Sequence, residues 1–180
     1  MRNVTIRRAN ASDIPGIQRL YRQLDKHHAD LLPDVFQPLD GDARADEVLR
    51  KWIERDDADC LLAEVDGRVV GFLNAQKSNH PSFPMFRPHA FAMIENAVVD
   101  KKHRGRGIGR TLFDAAMAWA KEHGLRYVQT TVWYDNAAAR EFYVAQGFRP
   151  MTVRLEMDTE RNVEPAATSR LSSGQSDGTG

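Results

Sequence analysis

Apolar positions along the chain switch between two periods, and the switches mark out its elements. Val4 and Ile6 alternate with polar neighbours over residues 4–8, the spacing of a half-buried strand. Ile14, Ile17, Leu20, Tyr21 and Leu24 then recur every three or four residues, which predicts an amphipathic helix that ends around residues 27–30 with a charged outer side. Asn10 or Ser12 is placed to cap it, and Asp13 stands at the third helical position of a capping box that starts at Asn10. Residues 31–40 hold two prolines and no sustained period, so they read as a loop. Helical spacing resumes over 42–56 through Val48, Leu49, Trp52 and Ile53.

Residues 60–65 and 68–75 are strand-like and separated by Asp66-Gly67, a tight-turn pair that predicts an antiparallel hairpin. Residues 78–89, with three prolines and the apolar Phe83, Met85 and Phe86, resist regular structure; they form either a mobile loop beside a binding site or a packed connector. A strand over 91–99 is followed by a glycine-rich turn. Ile108, Leu112, Ala115, Ala116 and Trp119 then trace a helix closed at Gly124, and 126–133 is a strand rich in β-branched and aromatic residues. Strand, helix, strand makes a βαβ unit, so its two strands should be parallel with a right-handed crossover. Asp135 and Asn136 can cap a short helix through Tyr143 that Gly147 closes, and residues 148–157 are expected to return as a last strand. From 159 onward Ser, Gly, Thr, Gln and Asp dominate, so the chain reads as one domain over 1–158 and a disordered tail over 159–180.

Composition narrows the partners. Twenty-five basic and 25 acidic residues cancel over 180 positions, so no overall field draws the protein to nucleic acid or to an anionic membrane, and neither is expected as a partner. Cys60 is the only cysteine, which excludes an internal disulfide and a cysteine-rich metal site. Its flanks are apolar, with no basic neighbour to favour a thiolate nucleophile. The first ten residues lack the apolar centre of a signal peptide and no apolar run approaches the length of a bilayer, so a cytoplasmic location is expected. His27, His28, His80, His89 and His123 show no metal-ligand spacing, and no metal is expected; His80 and His89 are the two closest to a possible acceptor site.

The chemistry concentrates at His103-Arg104-Gly105-Arg106-Gly107-Ile108-Gly109. Alternate glycines let backbone amides come close to a ligand, and the helix that starts near Ile108 aims unpaired N–H groups and its positive dipole end at the same place. Arg104, Arg106 and Arg110 add full charges, so the loop asks for phosphate. A dinucleotide loop would need Gly-x-Gly-x-x-Gly and an acidic residue about 20 positions on, whereas position 110 is Arg and 129–131 read Gln-Thr-Thr. A nucleoside triphosphate loop would need Gly-Lys followed by Ser or Thr, and Gly109 is followed by Arg110.

Arg104-x-x-Gly107-x-Gly109 after an apolar strand, with Asn136, Tyr143 and then Gly147-Phe148, resembles the GNAT family of N-acetyltransferases over essentially residues 3–158. The resemblance implies an α/β fold: a mixed, mostly antiparallel twisted sheet with a βαβ coenzyme-binding unit and helices on both faces. It implies acetyl-CoA as donor and co-substrate, transferring its acetyl group directly to a small-molecule or protein amine in a ternary complex, and dimers are common in the family. By the same resemblance the amides of residues 106–110 (Arg106, Gly107, Ile108, Gly109, Arg110), with Gly105 in the loop, hold the pyrophosphate, with Arg104 or Arg110 reaching a phosphate. The strand edge at Ala97, Val98 and Val99 pairs with the pantetheine arm, and the Val98 N–H polarises the thioester carbonyl. Asn136 contacts the coenzyme, although capping a helix would account for it alone. Tyr143 is the acid for the departing thiolate, and Glu95, on the strand before the loop, is the candidate base, acting directly or through water, with attraction of a cationic amine or a structural place in the strand as the alternatives. Trp133 and Tyr134 could line the acceptor pocket, and Asp25, Asp30, Asp34 and Asp40 could favour a cationic acceptor. Transfer of another acyl group, or a non-catalytic acyl-CoA sensor, would use the same loop.

Overall fold

The computed structural model describes residues 4–159 apart from 82, 86 and 88, and its strands stack in chain order. They are β1 (Val4–Arg8), β2 (Ala58–Val65), β3 (Arg68–Asn79), β4 (Ala90–Val99) and β5 (Val128–Thr130). The first four pair antiparallel, and β4 with β5 is the parallel pair that the βαβ reading required. Asp66 and Gly67 both take positive φ, 52° and 74°, the mirror-image turn whose twist suits a two-residue hairpin between β2 and β3. Helices α1 (Ile14–Leu31), α2 (Asp46–Ile53), α3 (Ile108–Glu122) and α4 (Ala137–Ala145) cover the sheet.

Alternation along the strands divides the core between two faces. Leu61, Ala63, Leu73, Ala75, Ala92 and Ile94 pack against Ile108, Leu112, Phe113, Ala116 and Trp119 of α3 and Tyr143 of α4. Cys60, Leu62, Phe72 and Val98 pack against Ile14, Ile17, Leu20 and Tyr21 of α1 and Leu49 of α2. Covered on both faces, β2 and β3 read as nearly unbroken apolar runs. The capping box forms: the Asn10 side chain accepts from the Ser12 N–H and Asp13 accepts from the Asn10 N–H, each at 2.9 Å, in a 3-10 turn that leads into α1. Arg7 donates to both Asp13 and Glu64, which fastens β1, the start of α1 and β2 together and holds the Asp13 carboxyl below its ordinary range.

Several expectations are corrected. No strand forms over 148–157; residues 149–159 are exposed, because a two-residue period specifies a face and not a partner strand. The strand expected over 126–133 pairs only as Val128–Thr130, since β4 and β5 share a register of three residues before they part. The second helix is the shorter Asp46–Ile53, and β3 runs on to Asn79, paired there with Ala90, into what read as loop. The segment from 160 that the tail expectation covered lies outside the described residues, as do 82, 86 and 88 of the proline-rich loop. Among the described residues no helix is long and apolar enough to cross a membrane, and no group of three or more His, Cys, Asp or Glu could hold a metal ion.

Candidate active site

The glycine-rich loop is tied down at its start by Asp100. This buried carboxylate accepts from the Lys102 N–H at 3.0 Å and meets Arg19 of α1 at 2.5 Å, while the same guanidinium donates to the Val69 carbonyl of β3. Burial alone would raise its pKa; the Lys102 amide, Arg19 and Gln23 outweigh that and hold it at about 2. Beyond this anchor Gly105 and Gly107 take φ of 72° and 80°, where a side chain would be strained, and a Cβ at either would face open space. Gly107 is the N-cap of α3 and offers no side-chain acceptor, so the first-turn N–H groups of Ile108, Gly109 and Arg110 lack intrahelical partners and point out of the helix. Such a cradle fits an anionic group. Gly109 is close for another reason: a Cβ there would meet the Phe142 ring at 3.4 Å, where α4 packs on the start of α3. Arg104 turns inward and donates to the Val99 carbonyl at 3.1 Å, which leaves Arg106 and Arg110 facing solvent, the latter only 3.9 Å from Asp114.

Next to the loop the sheet opens. Parallel pairing stops at Ile94 and Thr130, and from there to Val99 the outer edge of β4 has no strand beside it. A bulge decides which backbone groups line this wedge. Asn74 pairs with Asn96 and Ala75 with Ile94, so Glu95 is the extra residue, and it reverses the alternation. The Asp100 N–H donates to the Val70 carbonyl at 2.8 Å, which sets the phase beyond the bulge: Val98 turns its backbone to β3, and Ala97 and Val99 turn theirs to the wedge. The expected part for the Val98 amide is therefore corrected. Its side chain is buried against α1 and α2, and the free edge belongs to Ala97 and Val99.

Tyr143 reaches the wedge from the α3 side. Its hydroxyl is hydrogen-bonded to Thr130, whose Oγ1 donates to the Ile94 carbonyl at 3.1 Å, the last residue of β4 before the bulge. Burial raises the Tyr143 pKa and the Thr130 contact opposes it in part, so the phenol stays protonated at neutral pH. The ring is wedged between Phe142 and Phe148, with centroids at 5.2 and 5.1 Å.

Glu95 lies on the other face. Gln76 donates to its Oε1, and Gln76 shares its side of β3 with Asn74, which donates to the Tyr21 hydroxyl of α1 at 2.8 Å. The structure thus brings Tyr143 and Glu95 to the same opening from opposite sides of the sheet. Burial pushes Tyr21 up to about 12, and Arg44 lies 3.8 Å over its ring while pairing with Asp25. On this side Trp133 meets Phe36 edge-on at 5.4 Å and Phe36 stacks on His28 at 5.0 Å, an aromatic bridge between the chain after β5 and the end of α1.

Other expected residues stand apart. Asn136 is a helix cap, accepting from the Ala139 N–H at 3.1 Å. Asp25 and Asp30 are paired with Arg44 and Lys26. Tyr134 lies under Arg140. His80 and His89 pack on each other at 4.5 Å where β3 and β4 end; His89 is six residues before Glu95, about 20 Å along an extended strand. The Cys60 thiol is buried and its pKa is pushed up, so it is no nucleophile. Sequence reasoning missed Thr130 and Gln76, which contact the Tyr143 and Glu95 side chains. A polar residue inside a strand was the only signal at either position.

Comparison with known proteins follows the same lines. Residues 22–148 match the acetyltransferase (GNAT) family. An uncharacterized N-acetyltransferase of Methanocaldococcus jannaschii is 38% identical over 104 residues, 57% of this chain and 45% of that protein, so the chain spans less than half of that relative's length. A tetramutant protein from Bacillus halodurans superposes with a TM-score of 0.81 at 22% identity, over 86% of this chain and 99% of that one. The aminoglycoside N-acetyltransferase AAC(6')-Iy, solved in complex with CoA, superposes with a TM-score of 0.67 at 18% identity, over 89% and 97%. At such identities the two structures bear on the fold.

Proposed function

Because the chain belongs to the acetyltransferase (GNAT) family, we propose that it moves an acetyl group from acetyl-CoA directly to an amine within a ternary complex. Acetyl-CoA supplies a thioester, a carbonyl already activated toward nucleophiles. The chain's own residues supply the rest. The N–H groups of Ile108, Gly109 and Arg110, with Arg106 and the Arg110 side chain, hold a pyrophosphate at the open cradle around Gly105 and Gly107. The free edge of Ala97 and Val99 offers amide partners to a peptide-like arm, as an added strand would. The CoA in the AAC(6')-Iy structure supports a coenzyme of this kind on this fold.

Proton handling falls to two residues. An alkyl amine near pKa 10 is neutral in only about one molecule in a thousand at pH 7, so a group must take its proton. The Glu95 carboxylate, exposed on the α1 and α2 side and steadied by Gln76, holds that proton directly or through a water. On the other side the Tyr143 hydroxyl keeps a proton ready for the sulfur that leaves. Glu95 takes the ammonium proton and passes it to solvent before attack; as the C–N bond forms and the C–S bond breaks, the second proton of the nitrogen goes to Glu95 and the Tyr143 proton goes to sulfur, and solvent then restores both groups, so that amide, thiol and one net proton leave.

The placing of the Tyr143 hydroxyl at Thr130, where β4 and β5 part, carries this reading. The test is thiol release from acetyl-CoA with a panel of polyamines, aminoglycosides, amino acids and lysine peptides. Turnover with at least one amine, and a loss of ~10²-fold in kcat in Tyr143→Phe with unchanged coenzyme affinity, is expected. Tight coenzyme binding without thiol release from any amine would replace the enzyme with a sensor.

A further inference from the structure

Asn74 is only 5% exposed, and the two ends of its amide differ. Nδ2 donates to the Tyr21 hydroxyl at 2.8 Å, whereas Oδ1 is buried with no hydrogen-bond partner among the described residues. A buried amide oxygen without a donor is costly and rare in a folded protein, so it asks for a reason. The residue borders a small pocket between the sheet, α1 and α2, otherwise lined by Ile17, Leu49, Trp52, Ile53 and Cys60. Asn74 stands opposite Asn96 of β4 and shares its side of β3 with Gln76, which donates to Glu95. The pocket therefore lies on the Glu95 face of the sheet, and Asn74 is one strand spacing, about 5 Å, from β4.

We propose that this pocket anchors the far end of the acceptor by a hydroxyl group, so that the amine acetylated at Glu95 belongs to an amino alcohol. The assignment rests on acetyl transfer to an amine at Glu95. Size, charge and hydrogen bonding each restrict the group. The pocket has a volume of about 10 Å³, room for one water-sized group, so it takes a single heavy atom at the tip of a chain and not a carboxamide or a carboxylate. None of its six lining side chains is a carboxylate, so the ammonium of a diamine would lose its hydration there without an ion partner. A methyl group would fit the apolar lining and leave Asn74 Oδ1 unpaired. A hydroxyl is neutral, has one heavy atom and donates its proton to Oδ1. A free water suits the place less well, because it needs about two to four polar partners and five of the six lining residues are apolar. A hydroxyl on carbon needs one acceptor, and its methylenes match the lining. With nitrogen at Glu95 and oxygen at Asn74, the two ends are roughly 5–8 Å apart, which a chain of about three to five carbons spans.

Isothermal titration of the full chain saturated with CoA, which carries no acetyl group to transfer, reads acceptor binding apart from turnover. The probes are straight-chain amino alcohols from aminopropanol to aminopentanol, each beside the alkylamine and the diamine of the same length. The best amino alcohol is expected to bind about tenfold more tightly than its methyl-ended and ammonium-ended counterparts, and kcat/KM for thiol release from acetyl-CoA should follow the same order. Asn74→Leu keeps the size of the side chain and removes the acceptor, so hydroxyl and methyl compounds should then bind equally. Ile53→Phe fills the pocket from the half-buried end of α2 and should erase the same preference, which covers the case that Asn74→Leu fails to fold by circular dichroism. A hydroxyl preference in binding without thiol release would keep the pocket and remove acetyl transfer. Thiol release with amines but no hydroxyl preference in wild type would overturn the pocket and leave the transfer standing. Equal binding of the three compounds at every length, no binding of any amino alcohol, or a preference that persists in folded Asn74→Leu would also overturn it.

Discussion

Replacing Asp100 by Asn tests how the donor loop is fastened to the fold. The substitution keeps the shape and removes the charge that Arg19 and the Lys102 N–H hold in place. A carboxyl held at about 2 in the folded protein against 3.8 when free is a difference worth roughly 2.5 kcal/mol at neutral pH. The sign follows from the depressed value. The ionised form favours the fold, so the contribution is complete above the unfolded pKa and drains away as pH falls from about 4 toward 2. Asp13, also held low, by Arg7, acts in the same window, so the difference between wild type and Asp100→Asn is the quantity to follow. Urea unfolding should show the variant about 2 kcal/mol less stable near pH 7, with the gap closing as acid protonates the wild-type carboxyl. Its dissociation constant for acetyl-CoA should rise as well, because the anchor stands immediately before the loop proposed to hold the pyrophosphate. A gap that is absent, or that holds its size down to pH ~2, would refute the latch.

Three further substitutions separate the parts of the site. Gly107→Ala should cost the fold only about 1–2 kcal/mol, the strain of a left-handed residue with open space around its Cβ, while isothermal titration shows a larger loss of acetyl-CoA affinity. Glu95→Gln should lower kcat/KM for the amine by ~10²-fold near neutral pH, with partial recovery in more alkaline buffer as the neutral amine becomes abundant. Thr130→Val removes the partner of the Tyr143 hydroxyl; kcat should fall while KM for acetyl-CoA holds, and equal losses in both would assign Thr130 to binding instead.

Local rules carried the sequence reading where a single segment decides the outcome. The box of Asn10 and Asp13, the turn at Asp66 and Gly67 and the positive φ at Gly107, Gly124 and Gly147 all involve neighbours in the chain, and residue type alone makes each of them necessary. What stayed hidden depends on partners that pattern does not name. Residues 151–157 have the alternation of a strand as clearly as β1 does, but β1 lies beside β2 and the later segment joins no strand among the described residues. The clearest case is the edge of β4. Unbroken alternation from Ile94 would have sent Ala97 to β3 and Val98 to the wedge, where the family resemblance had put the Val98 amide. One extra residue, Glu95, inverts that order for everything after it. The same residue that is proposed to take the proton therefore also decides which amides are free to meet the donor. A deletion that removed the bulge would be expected to lose coenzyme affinity along with the base, whereas Glu95→Gln should lose only the base, and titration of acetyl-CoA against the two variants distinguishes these roles.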